Sequence, residues 1–212
     1  MASLTVIIQN YNGEKHIRAS LKSIMAQSRQ PDRVLVVDDA STDRSQAVIK
    51  EVCEGLGYEF LFNERNLGSL ATSTRAIDTV TTDYFALIGS DDLFLPGFVE
   101  KSMSILEANP AAFACSNPVV FPASEGEPVF FDDYYKISAT PRFIAPAEAI
   151  DKVGGSGQWI AGHTVVFNTK ILNEIGRFPL QLAWHSDWFI LHVMAFRYGF
   201  CYVPDPLVAM RS

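Results

Sequence analysis

Two adjacent carboxylates, Asp91 and Asp92, come directly after an apolar run at residues 84–88. Continuous apolar character predicts a strand that is covered on both faces, as in the centre of a parallel sheet. The aspartates then leave its carboxyl end, the edge at which open α/β sheets bind ligands. Paired carboxylates suit magnesium or manganese, and such an ion can hold a diphosphate. The competing interpretation is that they turn the chain and cap a helix that begins near Pro96.

Two further polar loops should reach the same edge of the sheet. Residues 4–8 form a short β-rich run that stops at a polar loop, residues 9–13, and a second buried run at residues 33–37 closes in Asp38 and Asp39. Helix-period segments follow both runs, and this alternation predicts parallel strands joined by right-handed crossovers. Three polar or acidic loops are therefore expected to converge on one edge.

A further carboxylate, Asp187, lies at the start of a helix predicted over residues 188–198. That segment is apolar almost all round, so we expect the helix to be buried. Its dipole favours an ionised carboxylate at the N-terminal end, and a buried helix would fix the direction of the side chain. A first-turn aspartate that only caps the helix or complements its dipole is the alternative.

The elements that position these groups follow an α/β pattern with a mostly parallel central sheet flanked by helices. Strands are predicted at residues 4–8, 33–37, 58–62, 84–88, 111–116 and 164–167. Between residues 118 and 144 the alternation fails and Pro and aromatic residues dominate, which indicates a hairpin and loop over the cleft. The glycine-rich residues 154–157 should form a flexible joint.

Composition bounds the class of protein. The chain has 212 residues, 48% of them hydrophobic, which is enough for one large domain. A formal net charge of -7 argues against a nucleic-acid binder. The three cysteines, Cys53, Cys115 and Cys201, are widely spaced among apolar residues, so neither a zinc cluster nor a disulfide framework is predicted, and a reducing compartment fits best. No stretch reaches the roughly 20 apolar residues of a membrane span.

Several motifs together resemble the family-two glycosyltransferases of GT-A fold, the Rossmann-like fold of nucleotide-diphospho-sugar transferases. The motifs are residues 4–12, 36–43, 66–68, 90–92 and 186–188, which read LTVIIQNYN, VVDDASTD, NLG, SDD and SDW. Their order and approximate spacing fit the family over nearly the whole chain. The resemblance implies inverting transfer of a sugar from a nucleotide diphosphate donor, usually with a divalent ion, here Mn²⁺ or Mg²⁺.

Matched by position, the resemblance also assigns roles to five residues. Tyr11 would stack on or border the base, Asp39 would hydrogen-bond it, Asp91 would approach the ribose, and Asp92 would ligate the metal in a DXD-type motif. Asp187 would be the catalytic base. These roles are chemically coherent, because a tyrosine offers a flat face to a base, a carboxylate accepts from a ring N–H, and a metal neutralises a departing diphosphate.

The same resemblance divides the domain, residues 1–212, into a nucleotide-sugar-binding half at 1–116 and an acceptor-side half at 117–212. We expect a UDP-sugar donor and a glycan, polysaccharide or lipid-linked acceptor. Localisation should be cytoplasmic, and association with the inner face of the membrane is left open. Many relatives continue beyond the last residue of this chain, which suggests truncation at the C-terminus.

The chain departs from the family pattern in three places. Gln9 stands where Pro or Thr is frequent, Gly89 replaces a frequent Asp, and residues 72–74 read Thr-Ser-Thr in place of Ala-Arg-Asn. On this ground a catalytically weak sugar-nucleotide-binding module is the alternative function. A nucleotidyltransferase or dinucleotide oxidoreductase is disfavoured, because the first loop lacks a glycine-rich phosphate cradle. His163 is a secondary candidate for an acceptor or phosphate contact, with a structural histidine as the competing interpretation.

Overall fold

The computed structural model describes residues 1–109, 111–121, 129–130, 137–155 and 160–211. Ten strands form one sheet, and helices flank it, which agrees with the predicted α/β class. The strands are β1 Leu4–Asn10, β2 Arg33–Asp38, β3 Glu59–Phe62, β4 Tyr84–Gly89, β5 Leu93–Phe94, β6 Phe113–Phe121, β7 Val129–Phe130, β8 Arg142–Ile144, β9 Val165–Asn168 and β10 Phe200–Arg211. The helices are α1 Ile17–Met25, α2 Ser45–Leu56, α3 Ser69–Ile77, α4 Phe98–Ala108, α5 Pro146–Ala149, α6 Thr169–Glu174 and α7 Ser186–Tyr198.

The first four long strands form the parallel block that the sequence predicts. The sheet runs β3-β2-β1-β4-β9-β6-β10-β5, and β1 pairs in parallel with both β2 and β4. The register sets Asn10 beside Asp38 and Gln9 beside Gly89. The loops that follow β1, β2 and β4 therefore leave the sheet side by side at its carboxyl edge.

Beyond β4 the sheet becomes mixed. Strand β9 runs antiparallel to both β4 and β6, whereas β10 is parallel to β6. The pairing of β10 shifts register between Val203 and Val208, and the strand continues to Arg211 at the same edge as the β4 loop. The second half of the chain thereby joins the sheet and reaches the predicted site.

Packing on both faces explains the continuous apolar runs. Val6 and Ile8 belong to the core on one face of the sheet, and Ile7 and Leu35 to the core on the other. Alternate residues of a strand point to opposite faces, so a doubly covered strand needs apolar residues throughout. On α1 three residues at helical spacing are fully buried against the sheet: Ile17, Leu21 and Ile24.

Some sequence predictions need correction. The predicted strand at 111–116 runs on as β6 to Phe121. The helix α7 is not buried all round, because Trp188 is 44% and Phe189 42% exposed. The hairpin predicted over the cleft falls largely on residues 122–128 and 131–136, and half of the predicted glycine joint on 156–157; both lie outside the described residues. The division at residues 116 and 117 stays a prediction.

No described helix is long and apolar enough to cross a membrane. The three cysteines are buried with free thiols. Burial raises the pKa of Cys53 to about 11 and that of Cys201 to about 12, so these thiols are protonated core side chains.

Candidate active site

A cleft of about 1030 Å³ opens at the carboxyl edge of the sheet. All five residues singled out by the family resemblance line it: Tyr11, Asp39, Asp91, Asp92 and Asp187. The loops that follow β1, β2 and β4 supply the first four, and the first turn of α7 supplies the last. The structure therefore brings the predicted residues together, while the role of each stays a prediction.

Asp39 is buried at the end of the cleft nearest β2 and is held by several hydrogen bonds. Its Oδ1 accepts from Asn63 Nδ2 at 2.8 Å and from the Leu67 amide at 2.9 Å, and its Oδ2 accepts from the Gly68 amide at 2.9 Å. Burial alone would raise the pKa of Asp39, but these bonds outweigh it and lower the pKa below its ordinary value. Asp39 is thus an ionised, oriented acceptor, and Oδ2 retains room for a ligand N–H.

The supporting network of Asp39 was not recognised in the sequence. Arg75 donates to Asn63 Oδ1, and Asn63 Nδ2 also donates to Thr72 Oγ1 at 2.8 Å. Arg75 itself is not among the described residues that line the cleft. The Asn-Leu-Gly motif at 66–68 was visible, yet neither Asn63 nor Arg75 carried a signal, because their contacts depend on how α3 docks.

The residues that depart from the family pattern at the end of β1 and in α3 form hydrogen bonds that connect these two elements. Gln9 Nε2 donates to the Ser69 carbonyl at 2.7 Å, and Gln9 Oε1 accepts from Ser73 Oγ at 2.9 Å. Thr72 is buried in the Asn63 network. These residues therefore tie α3 to β1, which gives the departures a structural role.

Tyr11 lies at the mouth of the cleft and is 52% exposed. The neighbouring Asn12 has a positive φ of 53°, and its Oδ1 accepts from the Thr42 amide at 2.8 Å. Asparagine tolerates this left-handed conformation better than most residues. The bond joins the loops after β1 and β2, so the Tyr11 ring is presented on an anchored loop.

Asp92 is the buried member of the carboxylate pair, and contacts from distant parts of the chain hold it. Its Oδ1 accepts from the Arg211 amide at 3.0 Å, and its Oδ2 lies 2.9 Å from His163 Nδ1. Asp91, by contrast, is exposed to the cleft. The simple capping interpretation does not account for Asp92, because neither partner belongs to α4.

Gly89 is required by the same turn. A Cβ at this position would lie 2.8 Å from Asp91 Oδ1 and 3.2 Å from Asp92 Oδ2. Contacts that short force a neighbour to move. The glycine therefore leaves room for the carboxylate pair, and a larger residue here would have to displace the exposed end of the Asp91 side chain.

His163 gains importance from the structure. Desolvation lowers its pKa, but the hydrogen bond and charge of Asp92, with added charge from Asp91 and Asp187, outweigh it. The net result is a pKa above the ordinary histidine value. The sequence offered no means to choose between site and core for this residue.

Asp187 begins the first turn of α7, as predicted, and is half-buried. Its Oδ1 accepts from the Trp188 amide at 2.7 Å. Its Oδ2 would lie 3.2 Å from a Cβ on Gly162. Gly162 therefore lies beside Asp187 with little space for a side chain, and the next residue, His163, pairs with Asp92, so both carboxylates lie near one short segment of the cleft.

The donor set fits a hard divalent cation. Within the described ranges, no group of three or more His, Cys, Asp or Glu side chains is arranged to hold a metal. Magnesium sites that also engage a diphosphate need only one or two carboxylates, with phosphate and water as the other ligands. Asp92 supplies a carboxylate of this kind, with Asp91 beside it at the same turn of the cleft.

Comparison with known proteins agrees with this geometry. A family model described as Glycosyl transferase family 2 matches residues 5–176. The chain is 31% identical to glycosyltransferase GlyA of Streptococcus pneumoniae serotype 4 over 137 residues, or 63% of this chain and 20% of that protein. Matches to the first curated relatives span between 20% and 38% of their length.

Solved structures give the same fold. Crystal structures of S. aureus TarS 1-349 in complex with UDP and with UDP-GlcNAc match with TM-scores of 0.78 and 0.79. Both matches cover 99% of this chain, and they cover 60% and 58% of those chains, at 18% and 17% identity. Likeness at this identity concerns the fold, and it confirms the predicted GT-A class.

Proposed function

The chain belongs to glycosyl transferase family 2, and on that premise we propose that it moves a sugar from a nucleoside diphosphate donor to an acceptor hydroxyl with inversion. One observation carries the proposal: His163 is paired with Asp92 and also feels the charge of Asp187, and the preceding Gly162 lies beside Asp187. A base and a leaving-group site held near one short segment of the same cleft suit a single in-line displacement.

Asp39 and Tyr11 bind the nucleotide base. The ionised Asp39 accepts a hydrogen bond from a ring N–H, and the exposed Tyr11 ring covers a flat face of the base. A uracil ring carries such an N–H donor. The TarS structures with UDP and UDP-GlcNAc add support for a UDP-sugar donor.

Asp92 holds the diphosphate end of the donor. When bound, a Mn²⁺ or Mg²⁺ ion would neutralise the charge that develops on the departing diphosphate. The Arg211 amide and His163 fix both oxygens of Asp92, so the buried carboxylate is oriented in advance. Asp91, on the exposed side of the turn, is directed to the ribose.

Asp187 acts as the general base. Because Oδ1 is engaged by the Trp188 amide, Oδ2 next to Gly162 takes the proton from the acceptor hydroxyl. The new bond from the acceptor oxygen to the anomeric carbon forms as the bond to the diphosphate oxygen breaks. No covalent intermediate on the protein is needed.

The experiment measures the binding of nucleotide-sugar donors and the anomeric configuration of the sugar that is released. Calorimetry with UDP-, GDP- and dTDP-sugars and Mn²⁺ identifies the donor, and NMR of the sugar released by slow hydrolysis gives its anomeric configuration. We expect a UDP-sugar to bind, a chelator to suppress turnover, and an α-linked donor to release the β anomer. Release of the α anomer would overturn inversion. Binding without turnover under any acceptor would favour the sugar-nucleotide-binding module.

A glycan, polysaccharide or lipid-linked precursor is the proposed acceptor class. A cytoplasmic location and contact with the inner face of the membrane remain predictions from the sequence. An added panel of glycoside acceptors in the same assay tests the acceptor class directly.

A further inference from the structure

An exposed tryptophan stands beside the proposed base. Trp184 is 81% exposed, far more than the other large side chains of the segment that leads into α7. It lines the cleft together with Asp187, which follows three residues later in the chain. An aromatic ring left this open to solvent beside a reactive carboxylate needs an explanation, because large apolar side chains are ordinarily buried.

The backbone before Trp184 is held in an unusual conformation. Ala183 has φ 48° and ψ -126°, which interrupts the 3-10 turn Leu180–His185. A residue with a Cβ rarely adopts a positive φ, and such strain is found preferentially at functional sites. The chain thus departs from a regular turn at the residue that precedes the exposed ring.

His185 completes a composite surface with Trp184. The two rings lie 3.7 Å apart between centroids and are tilted by 31°, and the imidazole is also exposed. One member offers a flat apolar face and the other offers ring nitrogens that can donate or accept. A pyranose ring presents the matching pattern, with C–H groups on its face and hydroxyls around its edge.

Trp188, on the next turn, provides an internal contrast. It is 44% exposed, and its ring packs on His192 at 4.5 Å between centroids. His192 Nδ1 in turn lies 2.7 Å from the Trp188 carbonyl oxygen. Trp184 is among the described residues that line the cleft, and Trp188 is not. Each tryptophan thus packs on a histidine, but Trp188 is more than half covered and lies off the cleft, whereas Trp184 stays largely exposed and lines the cleft.

We propose that Trp184 is the platform on which the acceptor stacks, and that the acceptor is therefore a pyranose sugar rather than a linear polyol phosphate or a lipid chain. This inference rests on the proposed function, because it takes Asp187 as the base. Trp184 and Asp187 line the same cleft three residues apart in the chain, so a sugar ring stacked on Trp184 would be held on the side of the cleft that carries the base. His185 is not among the described residues that line the cleft, and it supports the Trp184 ring by packing against it.

The test measures sugar binding and nucleotide binding separately. Saturation-transfer NMR with the methyl β-glycosides of glucose, galactose and N-acetylglucosamine, and with glycerol 3-phosphate, is run on the wild-type chain with UDP and Mn²⁺. The same spectra are then recorded for Trp184→Ala, Trp184→Phe and the control Trp188→Ala. Calorimetry with UDP-sugars checks that each variant still binds its donor.

We expect at least one glycoside to bind the wild-type chain and glycerol 3-phosphate not to compete. Trp184→Ala should weaken that binding about tenfold, Trp184→Phe should restore most of it, and Trp188→Ala should leave it unchanged. Equal loss in both alanine variants, full retention in Trp184→Ala, or glycerol 3-phosphate as the sole ligand would overturn the platform. Loss of donor affinity in Trp184→Ala would place the ring on the donor side and overturn it too. Failure of every nucleotide to bind the wild-type chain would instead overturn the proposed function.

Discussion

The two ends of the cleft are built in different ways. At the donor end, Asp39 is buried and receives hydrogen bonds from Asn63 and from the amides of Leu67 and Gly68. At the acceptor end, Asp187 is half-buried, and its described hydrogen bond comes from the next residue of its own helix. The donor end is thus organised before a ligand arrives, whereas the acceptor end remains open.

From this difference we expect the donor end to control nucleotide affinity and the acceptor end to control the rate of transfer. A rigid, fully oriented carboxylate favours selection of one chemical group, here a ring N–H. A half-buried carboxylate at a helix N-terminus, in the same cleft as the exposed Trp184 ring, admits acceptors of varied size. Substitutions at the two ends should therefore separate nucleotide affinity from turnover.

The largest effect is expected at Asp187. Asp187→Asn keeps the shape of the side chain but removes the proton acceptor, so turnover should fall by about 10²- to 10⁴-fold. Nucleotide affinity should stay within about twofold, because the donor end is untouched. Glu100→Gln, which removes a first-turn carboxylate from α4 instead, is the matched control and should turn over normally. Steady-state kinetics and calorimetry measure both quantities, and near-normal turnover in Asp187→Asn would remove it as the base.

A smaller effect, of the opposite kind, is expected at Asp39. Asp39→Asn exchanges a charged acceptor for an amide, and nucleotide affinity should fall roughly 10- to 100-fold, the range of a hydrogen bond to a charged group. Asp43→Asn is the control, since that carboxylate also accepts backbone bonds, from Ser45 and Glu14, yet is not among the described residues of the cleft. Calorimetry with UDP decides the matter. Equal losses in both variants would reduce Asp39 to a structural role.

A third prediction concerns the turn that carries Asp91 and Asp92, and it tests how much space Gly89 leaves for these side chains. Gly89→Ala places a methyl group against Asp91 Oδ1 and should cost about 1 kcal/mol of stability, or roughly 2–4 °C in Tm, because only the end of the exposed Asp91 side chain has to move. Gly55→Ala, in the interior of α2 with nothing within 4 Å of the added Cβ, should instead hold or raise Tm. Thermal unfolding of the pair provides the comparison. An unchanged Tm in Gly89→Ala would mean that the turn adapts and that the position tolerates side chains.

The smallest effect concerns the network behind Asp39. Arg75→Met removes the donor to Asn63 Oδ1, so the Asn63 amide loses its fixed orientation toward Asp39. Nucleotide affinity should fall roughly two- to tenfold with turnover of bound donor unchanged, because the lost bond acts on the nucleotide only through Asn63 and Asp39. Arg18→Met, which breaks an exposed ion pair with Glu51 on α1 and α2, serves as the control. A drop in turnover rather than affinity would contradict this positioning role.

The sequence predicted the strands that position the site better than it predicted the contacts and exposure of the side chains around it. The continuous apolar run at residues 84–88 was enough to place Asp91 and Asp92 at the carboxyl end of a buried strand, because the hydrophobic pattern of a strand or helix is a local property of the sequence. Exposure of Trp188 and Phe189 was missed, since an apolar helix shows no preferred face in its composition. From the sequence, Gly89 is the loss of a carboxylate that is frequent in the family. The structure adds that a Cβ at this position would crowd the side chains of Asp91 and Asp92.

By itself, the sequence determined the order of strands and helices, the edge at which the polar loops meet, and the family to which the chain belongs. These features follow from periodicity and from motifs read along the chain. Tertiary structure alone decided what holds each carboxylate. Arg211 reaches Asp92 from 119 positions away, and His163 and Trp184 enter the cleft from segments whose composition does not distinguish core from site. Contacts between residues so far apart arise only when β9, β10 and α7 dock on the sheet, and no local pattern encodes that docking.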